Sequence, residues 1–89
     1  MDEIERGTQI LYIPTHANGD ENHPDVEVGF VTSQRSDTVF CRYWSKYHQD
    51  ELRTKANSEG TPIEYIVVKD SMPQSIVDAA LEWIDTQAE

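Results

Sequence analysis

The stretch EVGFVTSQRSDTVFCRYW, residues 27–44, decides the fold. Two runs of β-branched and aromatic residues, EVGFVTS (27–33) and DTVFCRYW (37–44), are separated only by Gln34, Arg35 and Ser36. Such side chains suit a pleated, half-buried surface, and so short a polar connection turns the chain back on itself, so the stretch reads as a β-hairpin. Strand side chains alternate faces, which puts Val39, Cys41 and Tyr43 on one side and Phe40, Arg42 and Trp44 on the other. Aromatics fall on both sides. A strand of that kind is covered on both faces or belongs to a sheet that curls into a barrel.

Upstream, TQILYI (8–13) stops at Pro14 and reads as a strand; downstream, IEYIVV (63–68), introduced by Pro62, reads as another. Between them lies SKYHQDELRTKANSEGT (45–61), polar except for Tyr47 and Leu52, expected to be a long loop or a short irregular helix. Ser71 with Gln74 three residues on matches a capping box, and Pro73 suits a first helical turn. Ile76, Val77, Ala80, Leu81 and Ile84 then recur at helical spacing, with Asp78, Glu82 and Asp85 opposite. A helix is expected over about 72–86, packed on the sheet through that stripe, with Trp83 at its edge as a cover for the core. Residues 1–6 are mostly charged and expected to fray. The chain is expected to be a single domain over 1–89: mainly β, a small antiparallel barrel or rolled sheet of four to five strands across 7–69, and a C-terminal helix across 71–86.

Seventeen acidic against seven basic residues give a formal charge of -10. That balance repels a nucleic-acid backbone and an anionic membrane surface, which argues against direct binding to either. It suits a basic protein partner, or serves solubility alone. Cys41 is the only cysteine, so neither a disulfide within the chain nor a thiolate zinc site is possible, in keeping with a reducing cytoplasm. No apolar run approaches about 18 residues and MDEIERGTQ is no secretory leader, so neither export nor a membrane span is expected.

The chemistry-bearing residues concentrate in THANGDENHPD (15–25). His16, Asp20, His23 and Asp25 offer the nitrogen and oxygen donors that zinc or iron accepts. The histidine spacing is not that of a helical zincin, and the acidic positions do not match an EF-hand loop. The same residues also build an ordered polar loop: Asp20 and Asp25 close turns, Pro24 fixes φ, and the histidines hydrogen-bond across. Cys41 with His48 or His16 is the one pairing with nucleophilic character, but Cys41 sits inside a strand, where a small buried residue is ordinary. With no phosphate-cradling glycine loop either, no catalytic residue, enzyme activity or cofactor is expected.

Two resemblances bear on the fold and role. GTQILYIP, HANGDENHPDVEVGFVTS and VFCRYW together resemble small bacteriophage and prophage proteins to which no activity is assigned. Gly7, Tyr12, Pro14, His16, Ala17, Gly19, Asp20, His23, Pro24, Asp25, Glu27, Gly29 and Val31 carry the pattern. The hairpin VGFVTSQRSDTVFCRYW is similar to the central hairpin of SH3-like barrels of the Tudor and KOW type, which implies an SH3-like barrel here, though without the basic loops of its nucleic-acid-binding members. The role expected from residues and resemblance together is that of a phage-type protein in the host cytoplasm that binds a host protein, a nucleic-acid-processing or defence factor, and covers its basic surface. Asp20, Glu21, Asp25 and Glu27 would steer the encounter, and Arg42, Trp44 and Tyr47 would anchor it. The alternatives are a metal-binding protein using His16 and His23, with Asp20 and Asp25, and an accessory or structural component of a virion. Nothing in the sequence fixes the oligomeric state.

Overall fold

The structure, a computed structural model, describes residues 4–45, 51–53 and 58–87. It contains β1 (Gln9–Tyr12), a 3-10 turn (Thr15–Ala17), β2 (Glu27–Arg35), β3 (Thr38–Tyr43), β4 (Glu59–Pro62), a second 3-10 turn (Ile63–Tyr65), β5 (Ile66–Val68) and α1 (Gln74–Gln87). The five strands form one antiparallel sheet in the order β4-β3-β2-β1-β5. The fold is mainly β with a C-terminal helix. The outer strands β4 and β5 do not pair among the described residues, so of the barrel or rolled sheet expected from the sequence an unclosed five-stranded sheet is what is seen.

The hairpin forms around a two-residue connection, Ser36 and Asp37, with Ser36 in the left-handed region at φ 56 and Arg35 opposite Thr38. Register jumps between Val31, opposite Cys41, and Ser33, opposite Phe40, which leaves Thr32 as an extra residue. Its Oγ1 donates to the carbonyl of Phe40 at 3.0 Å. A bulge of this kind sharpens the local twist and bends the strand.

Face alternation in β3 is as the sequence implies. Val39, Cys41 and Tyr43 are buried with Ile10 and Val31, and Ile4, Tyr12, Ile63 and Ile66 pack against them. Side chains from one face of a single sheet close around each other there, so that face is concave. On the opposite face Phe30 and Trp44 meet Val77 of α1, with Ala80, Leu81 and Ile84 around them. Trp83 is not a cover for this core: it is 43% exposed, and Ile76 beside it is 37% exposed.

Four boundaries differ from expectation. The polar segment 45–61 ends in β4, whose ladder to β3 sets Thr61 opposite Val39 and Gly60 opposite Phe40. The run 63–68 divides, because the 3-10 turn takes Ile63–Tyr65 and leaves only Ile66–Val68 to pair with β1. Of the segment 1–6, residues 4–6 are described and make contacts the sequence did not suggest: the Ile4 amide donates to Gln34 Oε1 at 2.7 Å, and Arg6 meets Asp85 at 2.5 Å. The capping box is replaced by a residue from β1. Gln9, 2% exposed, accepts from the Ser71 and Met72 amides at 3.0 Å each, and its Nε2 donates to the Met72 carbonyl at 2.7 Å. Gln74 turns away from Ser71 and donates to the Gly7 carbonyl at 3.1 Å. The entry to the helix is thus tied to the first strand.

Candidate functional site

The loop between β1 and β2 is built from its base. Ile13 and Ala17 are buried with Leu11, and Val26 and Val28 pack on them. Successive turns follow, with Ala17 N–H on Pro14 O at 3.0 Å, Asp20 N–H on Ala17 O at 3.0 Å, His23 N–H on Asp20 O at 3.1 Å and Val26 N–H on His23 O at 3.0 Å. Asn18 and Gly19 take left-handed backbone at φ 51 and 78, a conformation that asparagine and glycine tolerate best. Asp20 Oδ1 accepts from Asn22 N–H at 2.9 Å, closing the turn expected of it.

Across this frame His16 Nε2 lies 2.6 Å from Asp25 Oδ2, and Asp25 N–H donates to His23 Nδ1 at 3.0 Å. The two imidazoles stand edge to face with centroids 5.2 Å apart. One donor atom from each of His16, His23 and Asp25 lies within 4.8 Å of the other two. Asp20 is not part of this cluster, so three of the four ligand candidates come together.

The acidic face is partly neutralised from within. Glu21 pairs with Lys69 at 2.9 Å and Glu27 with Arg53 at 3.0 Å. Arg53 also engages Glu59 and lies over the Tyr43 ring, 5.7 Å from its centroid. Exposed pairs such as Glu21–Lys69 contribute about 0–1 kcal/mol each, so they leave stability little changed while they occupy the carboxylates.

Two of the expected anchors are not at the surface. Arg42 is 7% exposed and its Nε donates to Ser58 Oγ at 3.2 Å. Trp44 is 5% exposed and packs on Phe30 with centroids 5.4 Å apart. Alternation correctly sends both side chains to the face opposite Tyr43, but α1 covers Trp44 there. Tyr47, the third anchor, and His48 lie outside the described residues.

Sequence reasoning missed the groove beside Trp44. Trp44, Leu52, Ile76, Ala79, Ala80 and Trp83 line it, with Glu51 and Ser75 at its rim, around a volume of about 510 Å³. The available signal was Trp83 itself, an aromatic at the edge of the helical stripe.

Cys41 is fully buried, and burial pushes its thiol up from 9.0 to about 11. At pH 8 roughly one molecule in a thousand then carries the thiolate that reacts with electrophiles. Native protein is expected to resist iodoacetamide at pH 8 over a time in which urea-unfolded protein is fully alkylated, with the adduct read by mass. Equal rates in the two states would show that Cys41 is accessible. Burial raises the Tyr43 phenol in the same direction. Ionisation of either group favours the unfolded chain: the Cys41 contribution is complete below pH 9 and is lost as pH rises towards 11, and the Tyr43 contribution persists to higher pH.

Comparison of the chain with models of known protein families, with curated proteins and with solved structures finds no match in any of the three.

Proposed function

We propose that this chain is a small acidic binding protein of phage type, without enzymatic activity, that acts in the host cytoplasm by covering a basic surface of a host protein, a nucleic-acid-processing or defence factor. The observation that carries the reading is the apolar groove, with Trp83 and Ile76 exposed beside it on a chain of formal charge -10. Tryptophan in such a position is a favoured binding anchor, and excess negative charge speeds encounter with a basic partner. The anchoring role therefore moves from Trp44 to Trp83. The occupant is an amphipathic basic segment: apolar side chains enter between Trp83 and Leu52, and a lysine or arginine meets Glu51, which lines the groove and is exposed.

The strand connectivity supports an SH3-like rolled barrel as the underlying architecture. Four strands follow one another across the sheet, and the fifth, reached through a 3-10 turn, returns to pair with the first. The bulge at Thr32 supplies the bend that such a roll requires.

The test is affinity capture from bacterial lysate with the wild-type chain and Trp83→Ala, each at low and high salt, followed by titration of the purified captured protein. Wild type is expected to enrich a basic protein more weakly at high salt, and Trp83→Ala is expected to bind that protein roughly tenfold or more weakly while melting like wild type. An unchanged affinity for Trp83→Ala, or no basic protein enriched at either salt, would remove the reading.

A further inference from the structure

We propose that His16, His23 and Asp25 form a binding site for one divalent transition-metal ion of the Zn²⁺ or Co²⁺ type. The site is independent of the groove and of whatever occupies it. Two imidazoles and one carboxylate are the donors such ions prefer, whereas Ca²⁺ and Mg²⁺ want sets of oxygen atoms. The three donor atoms already lie within 4.8 Å of one another. Bond lengths of about 2.0–2.2 Å bring ligand atoms to roughly 3–3.5 Å apart, so closure needs only small side-chain rotations.

The backbone beneath these side chains is set in advance. Four consecutive turns span Pro14 to Val26, and Ala17 is buried at the loop's base, so an ion need not order a floppy segment. The side chains of His16 and Asp25 are 61% and 57% exposed, which leaves the remaining coordination positions to water. Without metal, His16 Nε2 and Asp25 Oδ2 are hydrogen-bonded to each other at 2.6 Å. The ion takes the place of that hydrogen bond, accepting a lone pair from Asp25 Oδ2 and one from His16 Nε2, with the His16 ring proton carried on Nδ1.

His23 gives the site a signature of its own. Its Nδ1 accepts from the Asp25 amide. Ligation through Nδ1 directs that lone pair to the ion, and ligation through Nε2 places the ring proton on Nδ1. Either way the Asp25 N–H loses its acceptor, so metal binding must perturb this amide.

The experiment uses the full chain without an affinity tag, titrated with zinc chloride or cobalt chloride and followed by calorimetry and by ¹⁵N–¹H spectra. One ion per chain is expected, with the Asp25 amide among the resonances that move most. Affinity should fall roughly tenfold or more in His16→Gln and in Asp25→Asn, and stay unchanged in His48→Ala. The proposal is overturned if no saturable binding occurs, if His48→Ala loses as much as His16→Gln, or if the Asp25 amide is unmoved at saturation. That last measurement needs only the wild-type chain, so a variant that fails to fold does not protect the idea.

Discussion

Replacing Gly29 with alanine is expected to remove at least about 3 kcal/mol of folding stability, beyond the usual cost of overpacking a core. Gly29 lies in β2 where the strand is paired on both sides, opposite Ile10 of β1 and Tyr43 of β3. A Cβ there would stand 2.3 Å from the Arg42 carbonyl oxygen and 2.8 Å from Tyr43 Cδ1. Neither obstacle moves cheaply. The carbonyl belongs to the central ladder, where Trp44 N–H bonds Val28 O at 2.8 Å, and Tyr43 is 2% exposed with its hydroxyl 2.7 Å from Thr61 Oγ1. The strands would have to separate, and a domain of this size holds only about 5–10 kcal/mol in total. Gly60→Ala is the control, since its Cβ would meet only side-chain atoms, Thr38 Cγ2 at 3.2 Å and Phe40 Cε1 at 3.3 Å, on an edge strand. Urea unfolding followed by circular dichroism should give Gly29→Ala a much lower midpoint than Gly60→Ala. Equal midpoints would mean that β2 and β3 are not so closely apposed at Gly29.

That clash also shows what the sequence could and could not convey. The hairpin was legible because a period of two and a short polar connection are local signals, and they assigned Val39, Cys41 and Tyr43 to one face correctly. The helix was legible through its stripe. β4 was not, since Glu59, Gly60, Thr61 and Pro62 form no apolar run and are held instead by their ladder to β3 and the Thr61–Tyr43 contact. Gln9 read as one residue of a strand, whereas its task is to hold backbone groups 62 and 63 positions away. The loop's turn chemistry was readable residue by residue, and the approach of His16, His23 and Asp25 follows from it. The pairing of the acidic face was not readable, because Lys69 lies 48 residues from Glu21 and Arg53 lies 26 from Glu27. Alternation likewise placed Trp44 on the correct face without saying that a helix far along the chain would cover it.

Trp44→Ala is accordingly expected to cost about 3–5 kcal/mol, the range for truncating a large aromatic in a core, rather than to spare the fold as a surface anchor would. Trp44 is 5% exposed and joins Phe30 and Val77 in the cluster that seats α1, with Leu52, Met72, Leu81 and Ile84 around it. The cavity would open directly under Val77, the one fully buried residue of the helix, so the loss should concentrate in helix docking. Amides of α1 are expected to exchange with solvent much faster in the variant, while those of β2 and β3 change less. Trp44→Phe separates packing from hydrogen bonding. The indole Nε1 is buried with no hydrogen-bond partner among the described residues, so phenylalanine forfeits ring volume and none of the bonds seen there, and about 1–2 kcal/mol is expected. Trp83→Ala, at a side chain 43% exposed, should cost under about 1 kcal/mol. The order Trp44→Ala, Trp44→Phe, Trp83→Ala in denaturant midpoints therefore measures which tryptophan builds the core and which lies outside it. If Trp44→Ala proved as stable as Trp83→Ala, the seating of the helix on Phe30 and Trp44 would be wrong, and with it the groove that depends on it.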